Sequence, residues 1–315
     1  MMKKMLIASV CLLMLATALA GCFGSDMGTM ANNGSAYTDQ TGHTISLKST
    51  PQRVITLAPS LTETMFALGL GSKVVGCDDA SNNIPGAKNV TPVMTWTSLD
   101  LERVVSLKPD IIFMDKTLDA SGNTYASLTG AGLTVFQFFP KNLDNMLEQT
   151  KLIGHICGNV ESTDAVVDGF HIRIDAVMTE ASNITDANKP KILFVTYYDG
   201  STDPWVGTDN TMSGDLISKA GGKNVISDPS GIYVLVGIES IVSADPDIIF
   251  TSQSDIWPTT SRQAILNDTV FKDISAVKSG RVYDINGDHV DRPGPGLVDG
   301  LEEMQARINE YEAAK

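Results

Sequence analysis

Between Asn159 and Asn183 the apolar residues Val166, Val167, Phe170, Ile174, Val177, Met178 and Ala181 recur at steps of one, three and four. That spacing lays one stripe along one face of a helix. Asn159 stands at the N-cap position, and Lys189-Pro190 forbids further helix. At 1.5 Å per residue the helix spans about 35 Å, the width of a small domain. A helix of that length can act as a stiff strut between two bodies.

On either side of the strut the hydrophobic pattern repeats. Leu101–Phe113 reads LERVVSLKPDIIF and Ile238–Phe250 reads IESIVSADPDIIF, identical at eight of thirteen positions. In each copy a short helix ends at a proline, and Asp-Ile-Ile-Phe opens a buried strand. Arg53-Val-Ile-Thr-Leu-Ala pairs with Lys191-Ile-Leu-Phe-Val-Thr in the same order, and Gly71-Ser-Lys-Val-Val with Gly222-Lys-Asn-Val-Ile. Each half therefore alternates strand and helix, the pattern of a parallel sheet. Two such lobes facing each other make a cleft at the carboxyl ends of their strands. Leu301, Met304 and Ile308 mark a last amphipathic helix, which closes the chain over Glu302–Lys315.

The first 21 residues belong to neither lobe. Lys3-Lys4 precede an apolar run from Met5 to Ala20 that is too short for a membrane span, so residues 1–21 read as a signal peptide. Leu19-Ala20-Gly21-Cys22 resembles the lipobox of secreted lipoproteins, which makes Cys22 the lipidated N-terminus of an extracytoplasmic protein held at the membrane. Residues 22–36, rich in Gly, Ser and Asn, form a tether that cannot bury a core. The expected organisation is a first lobe over 37–158, the interlobe helix over 159–184 and a second lobe over 190–315. Losing Lys3 and Lys4 with the leader moves the net charge from −14 to −16, which argues against a nucleic-acid partner. Cys77 and Cys157 remain, and they are compatible either with a disulfide or with two buried thiols.

With its lipobox, tether, paired lobes and single connecting helix, the chain resembles the substrate-binding proteins of ABC importers. Within them it is most similar to the class that carries iron-siderophores, haem and cobalamin. Its most specific strings are Arg53-Val-Ile-Thr-Leu-Ala-Pro-Ser-Leu-Thr-Glu, Thr95-Trp96, Ala220-Gly-Gly-Lys-Asn-Val and Asp288-His-Val-Asp-Arg-Pro-Gly-Pro. The resemblance implies a class III periplasmic binding protein fold, two Rossmann-like α/β lobes with parallel sheets joined by one long helix and closing little on ligand. It implies a monomer that delivers a small molecule to a permease dimer and its ATPase subunits, with no cofactor of its own. In this family a glutamate on each lobe docks on the permease, and the matching residues are Glu102 and Glu239. The internal repeat puts these two at equivalent positions, as a two-fold partner requires.

The strings nearest the cleft resemble those of cobalamin binders. Matched position by position, this implies Trp96, Trp205 and Tyr233 as aromatic ligand contacts and Asp288 and Arg292 as polar ones. Ala80 and Asp115 depart from that pattern, standing where cobalamin binders carry aromatics. The loop Tyr197–Gly214 independently suggests binding, because it carries Tyr197, Tyr198 and Trp205 in a chain only 6% aromatic. Asp288 and Arg292, four apart, also suit a local ion pair. A ferric siderophore, calling for cations such as Arg262 and Arg292, is the second reading. Haem, with Tyr125, Tyr198 or His289 as axial ligand, is the third. His43, His155, His171 and His289 show no metal-ligand spacing. The chain holds no G-x-S-x-G, H-E-x-x-H, P-loop or G-x-G-x-x-G after a strand, which leaves a secreted two-lobed enzyme as a distant alternative.

Overall fold

The computed structural model describes residues 35–119, 121–228, 233–254 and 260–315, so the leader, Cys22 and most of the tether lie outside the described residues. An antiparallel hairpin of β1 (Ser35–Thr38) and β2 (Thr44–Leu47) opens the described chain. Ser35 and Ala36, assigned to the tether from composition, pair with Leu47 and Ser46 in this hairpin.

The first lobe comprises β3 (Val54–Leu57), α1 (Pro59–Ala67), β4 (Val74–Asp78), β5 (Thr91–Met94), α2 (Leu101–Ser106), β6 (Ile111–Asp115), α3 (Asn123–Gly130), β7 (Val135–Phe138) and α4 (Leu143–Ile156). Its sheet runs β5-β4-β3-β6-β7 and is parallel throughout. Helix α5 (Val160–Ala181) follows. The second lobe comprises β8 (Lys191–Tyr197), β9 (Trp205–Gly207), α6 (Met212–Lys219), β10 (Lys223–Asn224), β11 (Tyr233–Leu235), α7 (Ile238–Ala244), β12 (Ile248–Gln253), α8 (Ser261–Asn267), α9 (Ser275–Lys278), β13 (Val282–Asn286) and α10 (Leu297–Ala313). Its sheet runs β11-β9-β8-β12-β13, with β10 beside the start of β8. Here the expectation of a parallel sheet needs one amendment, because β9 is antiparallel to both β8 and β11. The short stretch from Asp199 to Pro204 lets the chain turn straight back along β8 instead of crossing over through a helix.

The sequence repeat is a structural repeat. After α2 and α7 the backbone enters the left-handed region at Lys108 and Asp245, both at φ 47°, just ahead of Pro109 and Pro246. A proline cannot continue a helix, so a left-handed residue followed by proline gives a sharp stop. The next residue then ties each unit to its central strand. Asp110 accepts from the backbone N–H groups of Gln52 and Arg53 at 2.7 and 2.8 Å, and Asp247 accepts from that of Lys191 at 2.8 Å. The Arg53 guanidinium caps the Leu107 carbonyl and the Lys191 ammonium caps that of Ala244, closing the two helix ends alike.

Helix α5 has the predicted stripe, with Val167, Ile174, Val177 and Ala181 buried and Val166 and Phe170 half-buried. Met178 is exposed, at the edge of the stripe. The helix ends at Ala181, short of Pro190, and Asn159 gives no side-chain cap; its amide instead donates to the Leu68 carbonyl at 2.9 Å. Val166 packs on the first-lobe core and Phe170, Ile174 and Val177 on that of the second. The lobes are also fused directly. Leu143, Met146 and Leu147 of α4 are buried in one cluster with Phe194, Leu216, Phe250, Leu297 and Leu301 of the second lobe. Among the described residues no helix is long and apolar enough to cross a membrane. Cys77 and Cys157 are free and buried, and burial pushes both thiols up to about 12, so they stay protonated and unreactive.

Helix α4 packs against the strut helix α5 at Gly154. A Cβ there would lie 2.6 Å from the Cβ of Thr163 in α5. Gly154→Val is expected to prise α4 from α5 and cost about 2 kcal/mol, measured as a lower urea midpoint with unchanged slope.

Candidate functional site

The carboxyl ends of the two sheets meet, because the segment after β3 touches the segment after β13. Ser60 and Glu63 of α1 lie against Gly294, where an added Cβ would be 3.4 Å from the Ser60 Cα. The loops leaving the strands at this end therefore gather at the lobe seam, where open α/β sheets bind ligands and a cleft is expected.

On the second lobe this end carries a row of apolar side chains set by strand register. Trp205 at the start of β9 lies opposite Tyr197 at the end of β8 on one side and Leu235 at the end of β11 on the other. Their exposures are 43, 45 and 53%, far above those of the core. On the first lobe Trp96 follows β5 in a tight turn, closed by the Thr95 N–H donating to the Ser98 carbonyl at 2.8 Å, and is 79% exposed. Large rigid apolar groups held out by turns and strand ends have surface to bury only against a ligand or a partner. Leu235 was invisible in the sequence as a site residue, since a short strand next to a turn gives no signal of which way its end points.

Tyr198 departs from expectation. The sequence groups it with the exposed loop aromatics, but it is buried, donates its hydroxyl to Asp268 at 2.6 Å and packs edge-on to Phe271. Successive strand residues face opposite sides, so if Tyr197 points out, Tyr198 points in. The other two haem-ligand candidates are also engaged. Tyr125 stacks on His43 at 5.0 Å, beside a groove of about 480 Å³ at the amino end of β7, away from the cleft. The His289 imidazole packs on Gly296.

The polar candidates form a connected cluster. Arg292 and Asp288 are ion-paired at 2.7 Å, the local pair their spacing suits, and Ser254 donates to Asp288 at 3.1 Å. Tyr233 does not present a free hydroxyl, because it donates to Asp291 at 2.8 Å. Its register partner on β9 is Gly207, where a Cβ would come within 2.8 Å of the Ser213 hydroxyl. Asp291 also accepts from Ser252 at 3.5 Å and from Ser213 at the start of α6. Its carboxyl is enclosed, and burial pushes its pKa up to about 6, with Asp288 adding to the rise while the hydroxyl donors pull the other way. Asp291 sits inside the string Asp288–Pro295 but went unnoticed among the many acids of this chain.

The first lobe answers with a buried polar chain. Thr56 and Thr62 share a hydrogen bond of 2.6 Å, Thr62 donates to Ser81 at 2.8 Å, and Ser81 donates in turn to Asp78 at the end of β4. Burial raises the Asp78 pKa, and Asp79 adds to the rise, against the hydrogen bonds from Ser81. Asp115, at a position where the resemblance implies an aromatic, ends β6 and caps the short turn that follows, with its side chain buried. It is 4% exposed and accepts from the Thr117 N–H and hydroxyl at 2.8 and 2.6 Å. Among the described residues no three His, Cys, Asp or Glu side chains are grouped to hold a metal ion. Glu102 and Glu239 stand exposed in the first turns of α2 and α7.

The periplasmic binding protein family model matches residues 54–288. A cobalamin-binding protein of Halobacterium salinarum is 32% identical over 272 residues, covering 84% of this chain and 72% of its own. An ABC transporter substrate-binding lipoprotein of Bacillus subtilis, YvrC, is 28% identical over 319 residues, covering 98% of both chains. The crystal structure of the periplasmic vitamin B12 binding protein of Vibrio cholerae superposes with a TM-score of 0.71 at 24% identity, covering 84% of this chain and 98% of that one.

Asp291 makes stability depend on pH. Its folded pKa of about 6 lies above its ordinary value of 3.8, so between these values the folded chain holds a proton that the unfolded chain has released. Stability should fall as pH rises through that window, and above it the full cost, about 3 kcal/mol, is present. Asp291→Asn keeps an acceptor for Tyr233 and removes the charge. It is expected to raise the melting temperature at pH 7 and to flatten its dependence between pH 4 and 6, read by calorimetry across that range.

Proposed function

The chain belongs to the periplasmic binding protein family, and on that footing we propose that it captures cobalamin or a related corrinoid in the interlobe cleft and hands it to an ABC importer. Family membership makes it an extracytoplasmic solute-binding protein and not an enzyme. An ABC transporter permease and its ATPase are the partners of that role. The corrinoid is the finer step, and one observation carries it. The cleft end of the second lobe presents Tyr197, Trp205 and Leu235 as an exposed apolar row, and the first lobe presents Trp96. Such a surface suits a large, flat, mostly uncharged disc. The cobalamin-binding name of a relative 32% identical over 84% of the chain supports the same reading.

The other ligand readings find fewer free side chains. An anionic siderophore complex calls for free cations, yet Arg292 is paired with Asp288 and the Arg262 guanidinium donates to the Val282 carbonyl at 2.8 Å. Haem would need an axial ligand; Tyr198 is buried and donates to Asp268, and Tyr125 stacks on His43 away from the cleft, which leaves His289 alone for that role. In the corrinoid reading Trp96 and Trp205 face the ring, Asp288 and Arg292 meet its polar edge, and Tyr233 buttresses the site through Asp291.

Delivery rests on Glu102 and Glu239. Their helices end in the same left-handed residue, proline and strand-tying aspartate, so the two carboxylates share one local frame and suit a two-fold permease. Residues 1–21 serve as the signal peptide, and Cys22 as the lipidated residue on a tether that ends where β1 begins.

Calorimetric titration of the leaderless chain carrying Cys22→Ser should give sub-micromolar binding of cyanocobalamin and none of comparable strength for haemin or a ferric siderophore. Trp96→Ala and Trp205→Ala should each weaken it about tenfold. Tight siderophore binding without cobalamin binding would reverse the assignment. Glu102→Lys with Glu239→Lys should abolish cobalamin uptake by cells while leaving the dissociation constant unchanged; a matching loss of affinity would place these acids in the site and not at the permease.

A further inference from the structure

The strings Arg53–Glu63 and Asp288–Pro295, at opposite ends of the globular chain, meet at the seam between the lobes. Glu63, on α1 of the first lobe, extends its carboxylate into the turn that starts α10 of the second. One oxygen accepts from the Gly296 N–H at 3.1 Å. The other lies 2.5 Å from where a Cβ on Gly294 would be, and a Cβ on Gly296 would fall 2.7 Å from the His289 ring. A side chain at Gly294 would meet the carboxylate itself, and one at Gly296 the His289 ring.

Gly296 is the N-cap residue of α10, a helix of 17 residues, and has no side chain with which to cap it. The exposed N–H groups and positive end of such a helix favour a carboxylate. Here that carboxylate comes from the other lobe. A second first-lobe side chain holds the same turn, the Gln149 amide donating to the Pro293 carbonyl at 2.9 Å from α4. Arg292 immediately precedes the turn. Burial raises the Glu63 pKa, and the Arg292 guanidinium is the largest influence drawing it back down. The same guanidinium pairs with Asp288.

We propose that Glu63 is a positioning residue: it caps α10 across the lobe seam and, through that turn and the charge of Arg292, fixes the Asp288–Arg292 pair at the cleft. The statement about the cleft rests on the ligand reading given above, whereas the cap does not. Ligand contact at Arg292 is then felt at the joint between the lobes, and the joint in turn sets where Arg292 stands.

Two substitutions separate the roles, because Glu63→Gln keeps an acceptor for Gly296 and loses the charge, while Glu63→Ala loses both. Hydrogen exchange on the leaderless chain should show the amides of Gly296, Leu297 and Val298 about five to ten times faster in Glu63→Ala, with β3 and β6 unchanged and most protection restored in Glu63→Gln. Cyanocobalamin affinity should fall about threefold to tenfold in both variants, and Glu63→Gln should cost nothing further when Arg292→Gln is already present. Unchanged exchange at the start of α10, or equal acceleration throughout both lobes, overturns the cap. Wild-type affinity in Glu63→Gln, or additive losses with Arg292→Gln, overturns the positioning role. If the unaltered chain binds no cyanocobalamin, the ligand reading and the positioning role fall together, and the exchange pattern alone decides the cap.

Discussion

The structure depends on one continuous apolar contact between its lobes. Leu143, Met146 and Leu147 belong by sequence to the first lobe and by packing to the second, and Asp215 of the second lobe accepts from the Leu143 N–H at 2.9 Å. Separating the lobes would return these side chains to water at a cost of about 2 kcal/mol each. The strut helix α5 lies over the same seam, with Val166 on one core and Ile174 and Val177 on the other. Apolar packing shared in this way resists hinge motion between the lobes.

Two-fold repetition within the chain governs one face of the molecule, and a departure from it governs the other. The helix-Pro-Asp-strand units keep the same left-handed stop and the same carboxylate clasp, which gives Glu102 and Glu239 matching settings. At the sheet edges the symmetry breaks. The first lobe has parallel β4 and β5, whereas the second sends β9 back along β8 and leaves only the two residues of β10 in the place of β4. That reversal aligns Tyr197, Trp205 and Leu235 in one row. In the function proposed above, a symmetric partner would meet the symmetric part of the protein, and an asymmetric small molecule the part where symmetry is lost.

Burial weakens two acids near the lobe seam. Asp78 ends β4 and Asp291 lies in the segment after β13; both are raised by desolvation, and both are held by hydroxyl donors. Such groups cost stability at neutral pH, as buried charges do when no cation answers them. Their place beside the candidate ligand residues fits the general tendency of shifted groups to gather at functional sites.

Much of the fold was legible in the sequence because it rests on local periodicity. The stripe on α5, the repeated LERVVSLKPDIIF pattern and the alternation of strands and helices each follow from backbone geometry and the need to bury one face. Glu102, Glu239, Trp96 and Trp205, which the family resemblance singles out, are all exposed in the structure. Tertiary structure alone decided the rest. Whether Tyr197 or Tyr198 faces the cleft depends on strand phase, and the place of Leu235 depends on the register of β11 against β9. That Tyr233 serves Asp291, and that Glu63 reaches Gly296, depends on contacts spanning 58 and 233 residues. Spacing along a chain reports neighbours within a turn or a pleat, but it carries no record of which distant side chain will share a buried proton.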